Sequence, residues 1–198
     1  MEVSMNNLKL IAYLFLISIL SFGCQKENSN ISPLEEEINA DLKVFKVIFE
    51  GVRGNPLILN HGKMKELSNG TIRITGMESE WSERTTTQLA NGVSHWEENI
   101  LISKNKKTAN LRGKGKLILP DGEWNFTMKG SIKAKGQHLL TPNSMMNPVP
   151  CESTIRVHGV GKSGPVTGLV GEWIYTLDYD GSSPYQYNIE GKIHFNYN

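Results

Sequence analysis

Hydrophobic and polar residues alternate with a period of two over most of the chain after residue 41. Trp124, Phe126 and Met128 share one face of such a run, and polar residues occupy the positions between them. This alternation is typical of a β-strand with one buried and one solvated face. The same period is found in three other long runs, at 111–119, 169–179 and 185–197.

Shorter alternating runs bring the expected total to about nine or ten strands. They lie at 42–50, 56–60, 71–77, 85–89, 96–103 and 153–158. Residue pairs that tolerate the positive φ angles of tight turns lie between the runs, at Asn69-Gly70, Asn91-Gly92, Asp121-Gly122 and Asp180-Gly181. No long helical period separates the strands, so a parallel βαβ arrangement is not expected.

Glycine recurs on the predicted inner faces, at Gly113, Gly115, Gly171 and Gly191. Glycine within a strand is typical of a bend or bulge, and a long antiparallel sheet with such bends tends to curl and close. The final run is well placed to pair with an early strand and complete the closure. We therefore predict that residues 41–198 form a single antiparallel β-barrel of about 8–10 strands. A β-sandwich is the alternative.

The N-terminal part has a different pattern, because residues 10–23 are uncharged and mostly apolar and end abruptly at Cys24. This run is shorter than the roughly 20 apolar residues that a helix needs to cross a bilayer. A small residue, Gly23, precedes the cysteine, as at a signal-peptide cleavage site. We interpret residues 1–23 as a signal peptide and the polar residues 24–40 as a flexible tether.

Two short motifs at this junction resemble those of a known class. Leu20-Ser21-Phe22-Gly23-Cys24 resembles the lipobox of lipoproteins from the Bacteroidetes group, and Gln25-Lys26-Glu27 is similar to the export tag of their surface lipoproteins. The resemblance implies that Cys24 carries acyl chains such as palmitate. It also implies an outer-membrane location, with the anchored protein on the cell surface or on the periplasmic face.

Charge and chemistry exclude several classes of function. With 21 Lys and Arg against 20 Asp and Glu, the net charge is +1, so no basic excess favours nucleic acid. The five histidines lack metal-ligand spacing, and no pattern indicates a metal or a cofactor. Once Cys24 is lipidated, Cys151 is the only other cysteine, which we interpret as an ordinary loop or buried thiol.

The aromatic residues of the second half are the candidate binding residues. Trp124, Phe126, Trp173, Tyr175 and Tyr187 lie on predicted inner faces, where they form either a packed core or the wall of a cavity for an apolar ligand. The loop at 139–152 is longer than a hairpin needs. It is a candidate lid, a contact surface or a simple insertion.

A second resemblance concerns the C-terminal half. Residues 158–168, Gly171-Glu172-Trp173 and Gly191-Lys192-Ile193 are similar in glycine spacing to allene oxide cyclase and dirigent-like barrels. The resemblance implies an eight-stranded antiparallel barrel whose lumen holds an apolar small molecule. It transfers no catalytic residue to this chain.

Three hypotheses about function follow. The first is a lipid-anchored envelope protein that binds an apolar small molecule or a protein partner at the cell surface. The alternatives are a cyclase-like or isomerase-like barrel enzyme and a structural surface lipoprotein with a packed core. The pattern favours a binding protein over an enzyme. Buried ionisable residues in the lumen would favour the enzyme, and a dry aromatic lumen would favour binding.

Overall fold

The computed structural model describes residues 45–139 and 149–195. The predictions for the signal peptide, the tether, Cys24 and Gln25-Lys26-Glu27 lie outside the described residues. So do residues 140–148 of the long loop and the last residues of the final run. In the two described ranges, no helix has the length and apolar character needed to cross a bilayer.

The described residues form β-strands joined by turns and two short 3₁₀ helices, at Gln88–Ala90 and Gly164–Val166. The strands are β1 (Lys46–Arg53), β2 (Leu57–Asn60), β3 (Lys63–Glu66), β4 (Ile72–Thr85), β5 (Gly92–Ile102), β6 (Thr108–Ile118), β7 (Glu123–Ala134), β8 (Cys151–Ser163), β9 (Leu169–Tyr179) and β10 (Tyr187–Phe195).

The strands pair in sequence order from β4 to β10, and every pairing is antiparallel. Strand β1 closes the sheet, because it pairs with β10 along one edge and with β4 along the other, where Arg53 lies opposite Glu83. Eight strands thus form a closed ring of hydrogen bonds, while β2 and β3 add to β4 outside the ring. The predicted all-β antiparallel fold is confirmed, and the last strand closes the barrel against the first.

The glycines on the inner face provide space for aromatic rings. A Cβ atom added at Gly115 would lie 2.5 Å from the Phe126 ring, and one added at Gly191 would lie 2.5 Å from the Phe49 ring. Neither glycine has the positive φ that only glycine adopts readily. They provide close packing against large neighbours, and the strand register is continuous at both positions, so neither marks a bulge; the predicted bends stay a prediction.

Gly159 offers a test of this packing. We expect Gly159→Ala to destabilise the protein by about 1–3 kcal/mol, because overpacking a tight core forces side chains off their preferred positions. The new Cβ would lie 2.7 Å from the Trp173 ring and 3.3 Å from the Trp124 ring. Gly54→Ala is the matched control, since no atom lies within 4 Å of its Cβ position. Urea unfolding measures both changes, and equal effects would contradict this explanation.

Two predicted strands, at 71–77 and 85–89, require correction. The first continues as β4 to Thr85, through a register shift between Ile74 and Met77 where Gly76 has a φ of 67°. This bulge shifts the alternation of buried and exposed residues, so the sequence pattern predicts a strand that ends before β4 does. The second run, at 85–89, starts at the last residue of β4 and ends in the 3₁₀ helix, where the Thr87 hydroxyl accepts a hydrogen bond from the Leu89 N–H.

Strand β3 was missed by the sequence pattern, because all four of its residues are exposed and no buried face imposes a period.

The turn predictions have a mixed outcome. Gly70 and Gly181 adopt positive φ angles of 82° and 96°, whereas Gly92 and Gly122 do not. Asn91 instead ends the 3₁₀ helix, and the next residue begins β5.

The two ends of the barrel differ. At one end the 3₁₀ helices close the interior, with Ala90 and Val166 almost fully buried. The indole Nε1 of Trp124 donates a 2.7 Å hydrogen bond to the Leu89 carbonyl, which fixes this cover to the core. At the other end β1, β5, β7 and β9 finish and β4, β6, β8 and β10 begin. Within the two described ranges, the interior is open there.

Candidate functional site

A cavity of about 660 Å³ occupies the open end of the barrel. This volume lies within the range of small-molecule sites, which are mostly apolar with a few polar groups. Aliphatic side chains provide much of the wall, namely Ile58, Ile74, Met77, Ile100, Ile102, Ala109, Leu111, Ile132, Leu139, Val149 and Ile155. Four aromatic residues also line it, namely Trp81, Tyr179, Tyr185 and Tyr187.

The five predicted cavity residues fall into two groups. Tyr187 lines the cavity. Trp124, Phe126, Trp173 and Tyr175 are at most 3% exposed and pack with one another in the interior, outside the cavity lining. Their rings meet edge to face, with centroids 5.9 Å apart for Trp124 and Trp173. These four therefore form the packed core that was the alternative interpretation.

A buried cation lies where the core meets the cavity. Arg53, at the end of β1, is only 1% exposed, and its guanidinium carbon lies 3.9–4.5 Å from the centroids of four rings. These rings belong to Trp81, Trp96, Tyr175 and Tyr187. Within the described residues, its three side-chain nitrogens have no hydrogen-bond partner. Arginine tolerates such a site because its delocalised charge is weakly hydrated and stacks on aromatic faces.

The first buried acid is Glu83, which lies directly opposite Arg53 in the pairing of β1 and β4. Its carboxyl group accepts a 2.5 Å hydrogen bond from the Ser94 hydroxyl and bonds of 2.8 and 2.9 Å from the Tyr175 hydroxyl. Burial raises the pKa of Glu83, and the charge of Arg53 opposes that rise. Because the carboxyl group acts only as an acceptor here, its bonds fit the ionised form.

The second buried acid, Glu98 on β5, lines the cavity and is 5% exposed. Burial raises the pKa of Glu98 to about 7, although the charge of Arg53 lowers it. Unlike Glu83, Glu98 receives no side-chain hydrogen bond from the described part of the chain. An unpaired carboxyl group in an apolar cavity is costly, because it has lost water and gained no partner.

Hydrogen bonds distinguish the two acids, because bonds from Ser94 and Tyr175 lower the pKa of Glu83 and no such bond acts on Glu98. Arg53 and an ionised Glu83 compensate each other, so ionisation of Glu98 adds one unbalanced negative charge to a low-dielectric interior. At neutral pH the Glu98 carboxyl group is thus close to half protonated. In chemical terms it can donate or accept a hydrogen bond, bind a cation or transfer a proton.

The titration of Glu98 predicts how stability depends on pH. The unfolded chain loses this proton near 4.5 and the folded protein near 7, so stability falls as pH rises between these values. The difference between these two pKa values corresponds to a loss of about 3 kcal/mol in the free energy of unfolding. We expect Glu98→Gln to remove the part of this loss that Glu98 causes in urea titrations across the interval, while Glu83, whose pKa is also raised, contributes a loss of the same sign.

Glu97→Gln is the matched control, because Glu97 is the adjacent residue on the outer face and forms a 3.1 Å ion pair with Lys114. It should leave the pH dependence unchanged. A Glu98→Gln protein that still loses about 3 kcal/mol over the same interval would contradict the role given to Glu98.

Sequence reasoning missed Arg53, Glu83 and Glu98, although a signal for the two acids was present. Glu83 is in phase with Trp81 along β4, and Glu98 is in phase with Trp96 along β5. A charged residue in phase with an inward-facing tryptophan indicates a charge inside the barrel. Arg53 had no such signal, because the predicted first strand ended at residue 50, before the structure's own end of β1.

Cys151 lies at the first position of β8 and is buried in the cavity wall. Burial raises the pKa of this thiol, which makes it less reactive than an exposed cysteine. The described residues contain no cluster of histidine, cysteine and acidic side chains that could hold a metal ion.

Two other depressions lie over the outer face of the sheet. Charged side chains of neighbouring strands, such as Lys129 and Arg156, border both of them. Most of their polar residues are exposed, so their charges are already solvated. The cavity at the open end therefore remains the best candidate site.

Comparison of the chain with protein-family models, with curated proteins and with solved structures gave no match.

Proposed function

We propose that this protein is a lipid-anchored envelope protein that binds a small apolar molecule in the cavity at the open end of its barrel. The observation that carries the proposal is the cavity itself, whose wall is mainly apolar and whose buried Glu98 has no partner within the described protein. Sites that bind small molecules combine these two properties. The cavity supports ligand binding over the alternative of a structural barrel with a packed core.

The test is native mass spectrometry of the full-length protein purified from its own envelope, compared with its mass after denaturation. A bound molecule adds mass that is lost on denaturation, and fragmentation then identifies its class. We expect such a mass. If the protein carries none and a neutral apolar dye such as N-phenyl-1-naphthylamine also fails to bind, the proposal is wrong, and a protein partner becomes the better hypothesis.

The membrane anchor is the second part of the proposal, and it rests on the lipobox-like residues 20–24. We expect Cys24→Ser to abolish incorporation of labelled palmitate, because only a cysteine thiol accepts the diacylglyceryl group at this position. Cys151→Ala is the control and should label normally, since it leaves Cys24 in place. Labelling that survives in Cys24→Ser would contradict the lipoprotein assignment and the outer-membrane location that depends on it.

An isomerase-like or cyclase-like enzyme is the second candidate, because buried ionisable residues in the lumen favour an enzyme and Glu98 is such a residue. A carboxyl group with a pKa of about 7 in an apolar cavity is suited to proton transfer at neutral pH. Incubation of the bound molecule with the protein in D₂O separates the two functions. An enzyme of this kind introduces deuterium at carbon and loses that activity in Glu98→Gln, whereas a binding protein returns the molecule unlabelled.

A further inference from the structure

The polar groups inside the cavity restrict the chemistry of the bound molecule. Given the proposed binding function, these groups determine the charge that such a molecule carries. Three ionisable groups decide it: Glu98 and Arg53, which both line the cavity, and Glu83, which lies opposite Arg53 in the pairing of β1 and β4.

Among the described residues that line the cavity, Arg53 is the only lysine or arginine that could bind an anionic head group, although neutral donors such as the Tyr187 hydroxyl are also present. Arg53 is the buried cation of this region, but four aromatic rings enclose its guanidinium group and its nitrogens have almost no accessible surface. A carboxylate therefore cannot form the paired hydrogen bonds through which arginine usually recognises it. It would instead meet the carboxyl group of Glu98, which has no hydrogen-bond partner among the described side chains and repels a carboxylate whenever it is ionised.

The same groups favour a cationic head group. Glu98 has already lost its water as part of folding, so the cost of burying this carboxylate does not fall on binding. With Arg53 balanced by Glu83, one positive charge from the ligand would make the whole cluster neutral. Tyr179 and Tyr185 line the same cavity and are not among the four rings that enclose Arg53, and aromatic rings attract a cation.

We propose that the ligand is an apolar molecule with an amino group, whose ammonium binds the carboxylate of Glu98 while its apolar part fills the cavity.

Three matched probes test this proposal: 4-phenylbutylamine, 4-phenylbutanol and 4-phenylbutyrate. They share one apolar body and differ in the head group alone. Binding is followed by tryptophan fluorescence of the full-length protein in lipid nanodiscs, with empty nanodiscs as the blank. At a pH of about 8 we expect the amine to bind about tenfold more tightly than the alcohol, because it adds a charge-assisted hydrogen bond. The butyrate should bind most weakly.

Glu98→Gln identifies the residue responsible. This variant should lose the preference for the amine over the alcohol. Glu97→Gln, which makes the same change on the outer face, should keep it. A preference for the butyrate, or an amine preference that survives in Glu98→Gln, would overturn the proposal.

The pH dependence gives an independent readout. The amine preference should shrink as pH falls from about 8 to about 5.5, because Glu98 becomes protonated. The other titratable groups that face this region are Arg53 on β1, Glu83 on β4, Cys151 on β8, Tyr175 and Tyr179 on β9, Tyr185 and Tyr187 around the start of β10, and His61 at the rim. Histidine alone among these types titrates near neutral pH when unperturbed, so the series is repeated in His61→Gln, where the dependence should persist.

The outcomes separate this proposal from the binding function beneath it. If the neutral dye binds but the three probes show no amine preference, the ligand class is wrong and the cavity still binds apolar molecules. If neither the dye nor any probe binds, the binding function fails, and the ligand class fails with it.

Discussion

Replacing Trp173 with alanine is expected to lower the free energy of unfolding by about 3–5 kcal/mol, the usual cost of removing a buried aromatic side chain. Trp173 is 3% exposed, and its ring centroid lies 5.9 Å from that of Trp124 and 6.1 Å from that of Phe126. Its indole Nε1 also donates a 2.8 Å hydrogen bond to the Tyr175 hydroxyl, which in turn donates to Glu83.

Urea unfolding followed by circular dichroism measures this change. Ile48→Ala is the control, because Ile48 is 57% exposed on the outer face and should lose less than about 0.5 kcal/mol. If Trp173→Ala is too unstable to purify, Trp173→Phe keeps most of the buried area and should show a smaller loss in the same direction. Similar losses for Ile48→Ala and Trp173→Ala would contradict the inward orientation of β9.

Periodicity predicted much of this fold because the buried face of each long strand is continuous. The run at 169–179 coincides with β9, and the run at 185–197 contains β10, which pairs with β1 and closes the barrel. The pattern failed where burial did not impose a period of two. Strand β3 is exposed throughout, and a bulge near Gly76 shifts the phase within β4.

The cavity could be predicted from the sequence only in part. Alternation shows that Trp173 and Tyr187 face inward, but not which end of the barrel each occupies. That position depends on strand pairing, since the cavity lies where β9 ends and β10 begins. The buried charges are harder to predict from the sequence, because acidic residues are usually exposed. Only the phase of Glu83 relative to Trp81, and of Glu98 relative to Trp96, distinguishes these two acids from surface residues.

The second prediction concerns the buried cation. Arg53→Met is expected to destabilise the protein by about 3–5 kcal/mol at a pH of about 7.5, the usual cost of removing one partner from a buried charge cluster. Methionine fills a similar volume among the four rings, so the loss measures charge more than packing. Arg84→Met is the matched control. Arg84 is the exposed neighbour of Glu83 on β4. The Arg84→Met variant should therefore lose less than about 0.5 kcal/mol in the free energy of unfolding.

The loss of stability caused by Arg53→Met is expected to depend on pH. The charge of Arg53 lowers the pKa values of both Glu83 and Glu98, so its removal raises them beyond their present values. A folded-state pKa raised above the unfolded value stabilises the protein at low pH, and that contribution is lost as pH rises through the folded-state pKa. The deficit of Arg53→Met should therefore be small at a pH of about 4.5 and grow toward 7.5.

Removing both acids should reverse most of the Arg53→Met loss. The triple variant with Arg53→Met, Glu83→Gln and Glu98→Gln has no buried charge in this cluster, and replacing a buried ionic cluster with neutral side chains is often neutral or stabilising. We expect its stability to lie within about 1–2 kcal/mol of the unchanged protein and to vary little with pH. A loss in Arg53→Met that is equal at all pH values, and that the triple variant does not reverse, would mean that Arg53 stabilises the barrel by packing among the rings instead of by its charge.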